Sequence, residues 1–268
     1  ECGLLSASRV LEAEKDLKFI GPVVLVPQNK HYSWIKGTHL LGLGAEAFWP
    51  VQLNKMGQLD ITSLYEQIER ARSLERPILL VVSVVGTTEM GTIDPVDQVN
   101  KLLDDYRGRG FHIWHHGDAA YGGFFATLKN RSTSSLSEEA RMALQALGRS
   151  DSITIDPHKL GYVPYSSGAF LTRDKADYHV RAFDAPYLQY NSKKDRGPFT
   201  IEGSRSAAGA VATWMSGQTL PFDEEGWGRV IERTIRMRTQ LQQALRASGL
   251  PVLLAPHAQS NVLTFAIG

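Results

Sequence analysis

A single cysteine, Cys2, in 268 residues rules out an internal disulfide framework. Such a chain fits a reducing compartment, and a cytoplasmic protein is the expectation. No Cys-x-x-Cys or His-Glu-x-x-His spacing occurs and the eight histidines are scattered, so no metal centre is expected. A net charge of +1 gives no global field and no basic stripe, which argues against nucleic acid as a partner. No apolar run approaches the roughly 20 residues that cross a bilayer, and no internal repeat or low-complexity tract is seen. What remains, with 43% hydrophobic and 21% charged residues, is the make-up of an ordinary globular chain long enough to bury an α/β core.

Strand and helix patterns alternate. Val23–Pro27 is a continuous apolar run, as in a strand buried on both faces, and it leads into His31-Tyr-Ser-Trp-Ile-Lys-Gly37. Residues 61–74 carry helical spacing through Leu64, Ile68 and Ala71, with Thr62 as a candidate cap. Ile78–Val85 reads as the strongest strand, Val96–Tyr106 as a second amphipathic helix, and Phe111–Trp114 as a strand that ends at His116-Gly-Asp-Ala-Ala-Tyr-Gly-Gly123. The β-branched run Ile153-Thr-Ile155 forms the next strand, closed by Pro157, and Gly168–Thr172 is a return strand. Phe183–Gly197 reads as a polar loop. Ser204–Leu220, rich in alanine and glycine, suits a tightly packed helix near a subunit contact. Glu224–Ala247 reads as an amphipathic helix bridging to a second domain. The domain expectation is therefore a large unit over 1–222, followed by a linking helix and the start of a smaller domain over 223–268. Both ends look cut: Glu1 falls inside an apparent helix, and Val262–Gly268 has strand character with nothing after it to pair with.

Alternation of this kind implies crossover units and a largely parallel sheet, whose ligands bind beyond the carboxyl ends of the strands. His31, Thr87, Thr88, Asp118, His158 and Lys159 each follow an expected strand, so they should meet along one edge. A strand-end lysine becomes a nucleophile toward carbonyls once it loses its proton, and an imine to lysine is the usual anchor of pyridoxal phosphate. That cofactor needs a carboxylate beside its ring nitrogen, which Asp118 would supply. Ala119 and Ala120 leave room for a flat ring, His31 offers an imidazole to cover it, and Ser152 and His158 could meet a phosphate. Tyr32, Trp34 and Tyr121 are candidate walls of a substrate pocket.

Four motifs then stand in order: Lys30-His-Tyr-Ser-Trp34, Gly86-Thr-Thr-Glu-Met-Gly-Thr-Ile-Asp-Pro95, Gly117-Asp-Ala-Ala-Tyr-Gly122 and Ser152-Ile-Thr-Ile-Asp-Pro-His-Lys159. In order and spacing they resemble the group II pyridoxal-phosphate-dependent amino-acid decarboxylases, over nearly the whole chain. Tyr162–Tyr165 and Glu202-Gly-Ser-Arg-Ser206 are most similar to the microbial tyrosine decarboxylase branch. The resemblance implies a fold-type I architecture: a mainly parallel sheet of the seven-stranded type with helices on both faces and a smaller C-terminal domain. It implies pyridoxal 5'-phosphate held on Lys159, Asp118 at the pyridinium nitrogen with Asp94 behind it, and His31 stacked on the ring over Ala120. Thr88 would lie near the ring hydroxyl, and Ser152 and His158 at the phosphate. Tyr187 would be the catalytic-loop tyrosine, offered to the neighbouring subunit of a homodimer to protonate the carbon left by carbon dioxide.

The implied reaction is decarboxylation of a small-molecule L-amino acid, tyrosine or another aromatic one by local resemblance, with aspartate and glutamate open. Two other readings stand beside it: a carbon–carbon lyase of the sphingoid-base-phosphate type, and a non-catalytic dimerisation partner. The sequence departs from the family in two places. Gly117 stands where a bulkier aliphatic residue is common, which should loosen the strand end. The Gly/Ser-rich phosphate turn expected upstream is not within the chain, and Glu1–Arg9 resembles the helix that follows it.

Overall fold

The computed structural model describes residues 8–10, 12–13, 20–181, 205–255 and 258–268. The apolar run Val23–Pro27 forms β1, every residue of it buried. Alternate side chains of a strand face opposite ways, so Val23 and Leu25 enter one core while Val24 and Val26 enter another. After β1 come α1 (Ser33–Leu40) and β2 (Phe48–Val51), neither of which the sequence pattern assigns. Helix α2 (Ile61–Ser73) is capped by Asp60, whose carboxylate accepts from Ser63 N at 2.8 Å, and not by Thr62. Strand β3 (Ile78–Val84) and helix α3 (Val96–Gly108) follow, and α2 and α3 bury Leu64, Ile68, Val99, Leu103 and Tyr106 against β1 and β3.

Strand β4 spans Trp114–Asp118, three residues later than its apolar run suggested. Its ladder starts at the pair Leu80–Trp114, the Asp151 carboxylate accepts His115 N at 2.8 Å, and Phe111 is left outside beneath the Arg72 guanidinium. Helix α4 (Glu138–Ala146), capped by Ser137, and strands β5 (Ser152–Ile155) and β6 (Ala169–Thr172) complete the main sheet. Its order is β2-β1-β3-β4-β5-β6, with every neighbouring pair parallel except β5 and β6. The described residues thus supply six strands of the expected seven-stranded type.

Helix α5 (Ala208–Thr219) buries none of its residues within the single chain. In its first turn Gly209 abuts Ser166 O so closely that a Cβ would lie 2.3 Å from it, and near its end a Cβ on Gly217 would lie 2.9 Å from the Phe222 ring. Val211, Trp214 and Met215 face outward. Helix α6 (Trp227–Ala247) packs Trp227, Ile231 and Ile235 into the core beside β5 and α4, and buried Glu232 accepts Ser135 N. The C-terminal run also has a partner: β8 (Phe265–Ile267) pairs antiparallel with β7 (Val252–Leu254), an earlier strand and not a later one. No helix among the described residues is long and apolar enough to cross a membrane.

Gly117 does not loosen β4. A Cβ there would sit 2.6 Å from Leu147 Cδ1, so the missing side chain is replaced by a leucine from the turn after α4. Overpacking of this kind costs typically about 1–3 kcal/mol. Gly117→Val is expected to lose stability in that range by urea denaturation, and Gly117→Val with Leu147→Ala to recover part of it. Additive losses in the double variant would refute the packing account.

Candidate active site

The carboxyl ends of β1, β3, β4 and β5 open into one cavity of about 470 Å³. Its wall takes in Asn29 and His31 after β1, Gly86, Thr87 and Thr88 after β3, His116, Asp118, Ala120 and Tyr121 along and after β4, and Thr154, Asp156, His158 and Lys159 from β5 onward. A parallel ladder does this by itself, since all its strands end on the same edge.

Lys159 is delivered by a tight turn. Pro157 ends the strand, Lys159 N donates to Asp156 O at 2.9 Å and Tyr162 N to Lys159 O at 3.1 Å. Gly161 is required, because a Cβ would lie 2.6 Å from Pro157 O and 2.7 Å from the Phe124 ring. The Lys159 Nζ sits 2.9 Å from Asp156 Oδ2, with its side chain about a third exposed. His158 accepts Ser167 N at Nδ1, which places its proton on Nε2, 3.5 Å from the same Asp156 oxygen. The His158 ring stacks on Tyr165 at 4.1 Å.

Opposite lies Asp118, whose Oδ2 accepts the Trp34 indole N–H at 2.8 Å and whose Oδ1 has a long bond of 3.4 Å from Ala120 N. Among the described residues no cation pairs with Asp118 within 4.0 Å. His31 accepts Ser33 N at Nδ1, leaving its Nε2–H unused by that contact, and packs on Tyr32. Thr88 is exposed on the turn after β3, while its neighbour Thr87 is buried and bonded to Thr92.

Ser152 is the exception among the expected site residues. It is buried, its oxygen accepts Trp114 Nε1–H at 2.8 Å and it lies 2.8 Å from His116 Nδ1, so it does not reach the cavity. Its place on β5 turns the hydroxyl back toward β4, with which it pairs at His116. Tyr187 lies outside the described residues. Asp156, His116, Thr154 and Trp34 are cavity residues that the sequence reading gave no role or only a wall. A signal existed for His116, which stands two residues from Asp118 on one strand and so shares its face. Trp34 stands three residues after His31, one helical turn away, but the sequence pattern assigns no helix there.

Asp94 is shut off from solvent. Its oxygens accept Leu59 N and Val84 N, both at 2.7 Å, which fixes the end of β3 just before the Gly86–Thr88 turn. Burial pushes its carboxyl up to about 7, against the two backbone bonds, with the Asp118 charge adding to the rise. The folded state therefore keeps a proton that the unfolded chain releases at its ordinary value of 3.8. Asp94 makes the protein lose stability as pH rises from about 4 to about 7. His115, pressed down to about 3 by burial, acts the other way: stability is lost as pH falls below its ordinary 6.5. Comparing wild type with Asp94→Asn in urea removes the shared His115 effect. The advantage of wild type is expected to shrink as pH climbs through that window; a constant gap would contradict the shifted carboxyl.

With this geometry in view, the chain was compared with known proteins. The model of the pyridoxal-dependent decarboxylase conserved domain matches residues 9–266. L-tyrosine decarboxylase of Enterococcus faecium is 33% identical over 246 residues, covering 82% of this chain and 40% of that protein. L-2,4-diaminobutyrate decarboxylase of Acinetobacter baumannii is 28% identical over 254 residues, covering 93% and 46%. The crystal structure of mouse CSAD superposes with a TM-score of 0.77 at 24% identity, over 92% of this chain and 48% of that one, a likeness of fold. The chain thus spans less than half the length of each of these three. A match running almost from end to end, on a sheet whose strand ends gather Lys159, Asp118 and His31, has one meaning: the chain belongs to the pyridoxal-dependent decarboxylase family.

Proposed function

We propose that the protein to which this chain belongs removes the carboxyl group of an L-amino acid as carbon dioxide, using pyridoxal 5'-phosphate. The observation that carries the reading is the meeting of the Lys159 amine and the Asp118 carboxylate in one cavity, with His31 on its rim. The donor set fits the cofactor: an amine for its carbonyl carbon, a carboxylate free of any cation for its ring nitrogen, and the small Ala120 where a flat ring needs space. When bound, the cofactor supplies an electron-withdrawing ring that accepts the pair released with carbon dioxide.

The chain's own residues would act as follows. Asp156, 2.9 Å from Lys159 Nζ, holds the amine at the cavity wall. Asp118 would hold a proton at the ring nitrogen. His31 would cover the ring, Thr88 would meet its hydroxyl, and His158 would lie toward the phosphate. Tyr187 would return a proton to the substrate carbon, from a loop contributed by the second subunit of a homodimer. The outward apolar face of α5, with Val211, Trp214 and Met215, supports a subunit contact. Tyr32, Tyr121 and Tyr165 along the cavity, together with relatives named for tyrosine, support an aromatic substrate. The lone cysteine supports a cytoplasmic location.

Incubating the full-length protein with pyridoxal phosphate and a panel of amino acids, while following carbon dioxide and amine, tests this directly. Release is expected from an aromatic amino acid. Lys159→Ala is expected to abolish both the cofactor's absorbance and the release, and Asp118→Asn to lower kcat about 10²–10³-fold, the scale of a lost preorganised electrostatic contact. If no amino acid loses its carboxylate, the proposal fails.

A further inference from the structure

We propose that Trp34 is a positioning residue for Asp118: its indole N–H holds one carboxylate oxygen and leaves the other for the cofactor's ring nitrogen. The inference rests on the function proposed above. Helix α1 begins two residues after His31, and Trp34 N donates to His31 O at 3.2 Å, so the indole and the imidazole are borne by the same turn. From there Trp34 Nε1 reaches Asp118 Oδ2, 84 residues further along the chain, at 2.8 Å. An indole N–H donates and never accepts, which leaves the direction of the bond in no doubt.

What surrounds the pair matters as much. The Trp34 ring meets His116 edge-on, with centroids 5.6 Å apart. Trp114 Nε1 donates to Ser152 Oγ, and His116 is held between Ser152 Oγ, 2.8 Å from Nδ1, and Thr154 Oγ1, 3.2 Å from Nε2. Burial favours the neutral imidazole there. Asp118 is thus held by a neutral donor and packed beside a neutral ring, while the nearby Lys159 ammonium is paired with Asp156. Its charge is kept in one orientation and left unspent for the group that enters the cavity. A cationic partner would orient the carboxylate equally well but would compete with a pyridinium.

Trp34 also lines a second, apolar cavity of about 320 Å³, beside Leu41, Phe48 and Leu80. The residue is therefore shared by the two cavities. Truncation to alanine would remove this shared wall along with the donor, so the variant that deletes the donor keeps a ring in place.

Trp34→Phe keeps a ring and deletes the donor, whereas Trp34→Gln restores an N–H donor without the ring. Both are made in the full-length protein and compared with wild type. The readouts are affinity for pyridoxal phosphate by absorbance titration, kcat and KM on the best amino acid, and the pH range over which the bound cofactor's absorbance changes. For Trp34→Phe, Kd for the cofactor should rise and kcat fall about tenfold, the scale of one hydrogen bond to a charged group, with KM little changed. The absorbance change should move to lower pH, and Trp34→Gln should recover most of the loss. A Trp34 that only packs would lower Tm and leave these readouts of the folded protein untouched, which would overturn the proposal. Tighter cofactor binding by Trp34→Phe would overturn it too, since the indole would then be a competitor for Asp118. Should wild type bind no cofactor, both this inference and the proposed function fall. Should it bind cofactor but release no carbon dioxide, only the decarboxylase reading falls, and the Kd comparison still decides Trp34.

Discussion

Every polar group of the cavity depends on the parallel pairing of β1, β3, β4 and β5. Parallel strands end on one edge, so the ladder brings together residues from four distant stretches of sequence. The centre of that ladder is β4, and it is secured on both faces. On one side His115 bonds Ser83 and Asn100, and on the other His116 bonds Ser152 and Thr154. Between the two histidines and Asp118, Gly117 admits Leu147 against the strand. Asp118 therefore projects from a backbone with little freedom to shift.

On this frame the charges are kept apart. Asp156 takes both Lys159 and His158, so the positive side of the cavity is satisfied within one turn of chain. Asp118, across the cavity, has only neutral donors among the described residues. Two carboxylates in one site could each have paired with the lysine. The turn geometry at Pro157 gives it to the nearer one, three residues away in sequence. The result is a cavity with one carboxylate spent and one available, which is the asymmetry a cationic ring would need.

Much of this was legible beforehand because it rests on local chemistry. The β-branched run Ile153–Ile155 closed by Pro157, the apolar blocks at Val23–Pro27 and Ile78–Val84, and the helical stripe through Leu64, Ile68 and Ala71 declare their elements by period and propensity. Where burial pattern was weak, reading failed. Helix α1 has a mixed face, and β2 is only four residues with a proline inside it. The run Phe111–Trp114 looked like strand because it is apolar, yet the ladder begins only where β3 offers a partner.

The sequence by itself determined the alternation of strands and helices, the family, and the placement of Lys159, Asp118 and His31 after strand ends. These follow from the order of motifs and from backbone preferences, which act over a few residues. Only the tertiary structure decided which partner each polar group takes. Ser152 turned inward to Trp114 and His116, Asp118 received an indole N–H from α1, and the last strand folded back on β7. Hydrogen bonds and ion pairs are made between atoms a few ångströms apart whatever their separation along the chain. Spacing in sequence therefore cannot rank the candidates that folding brings into reach.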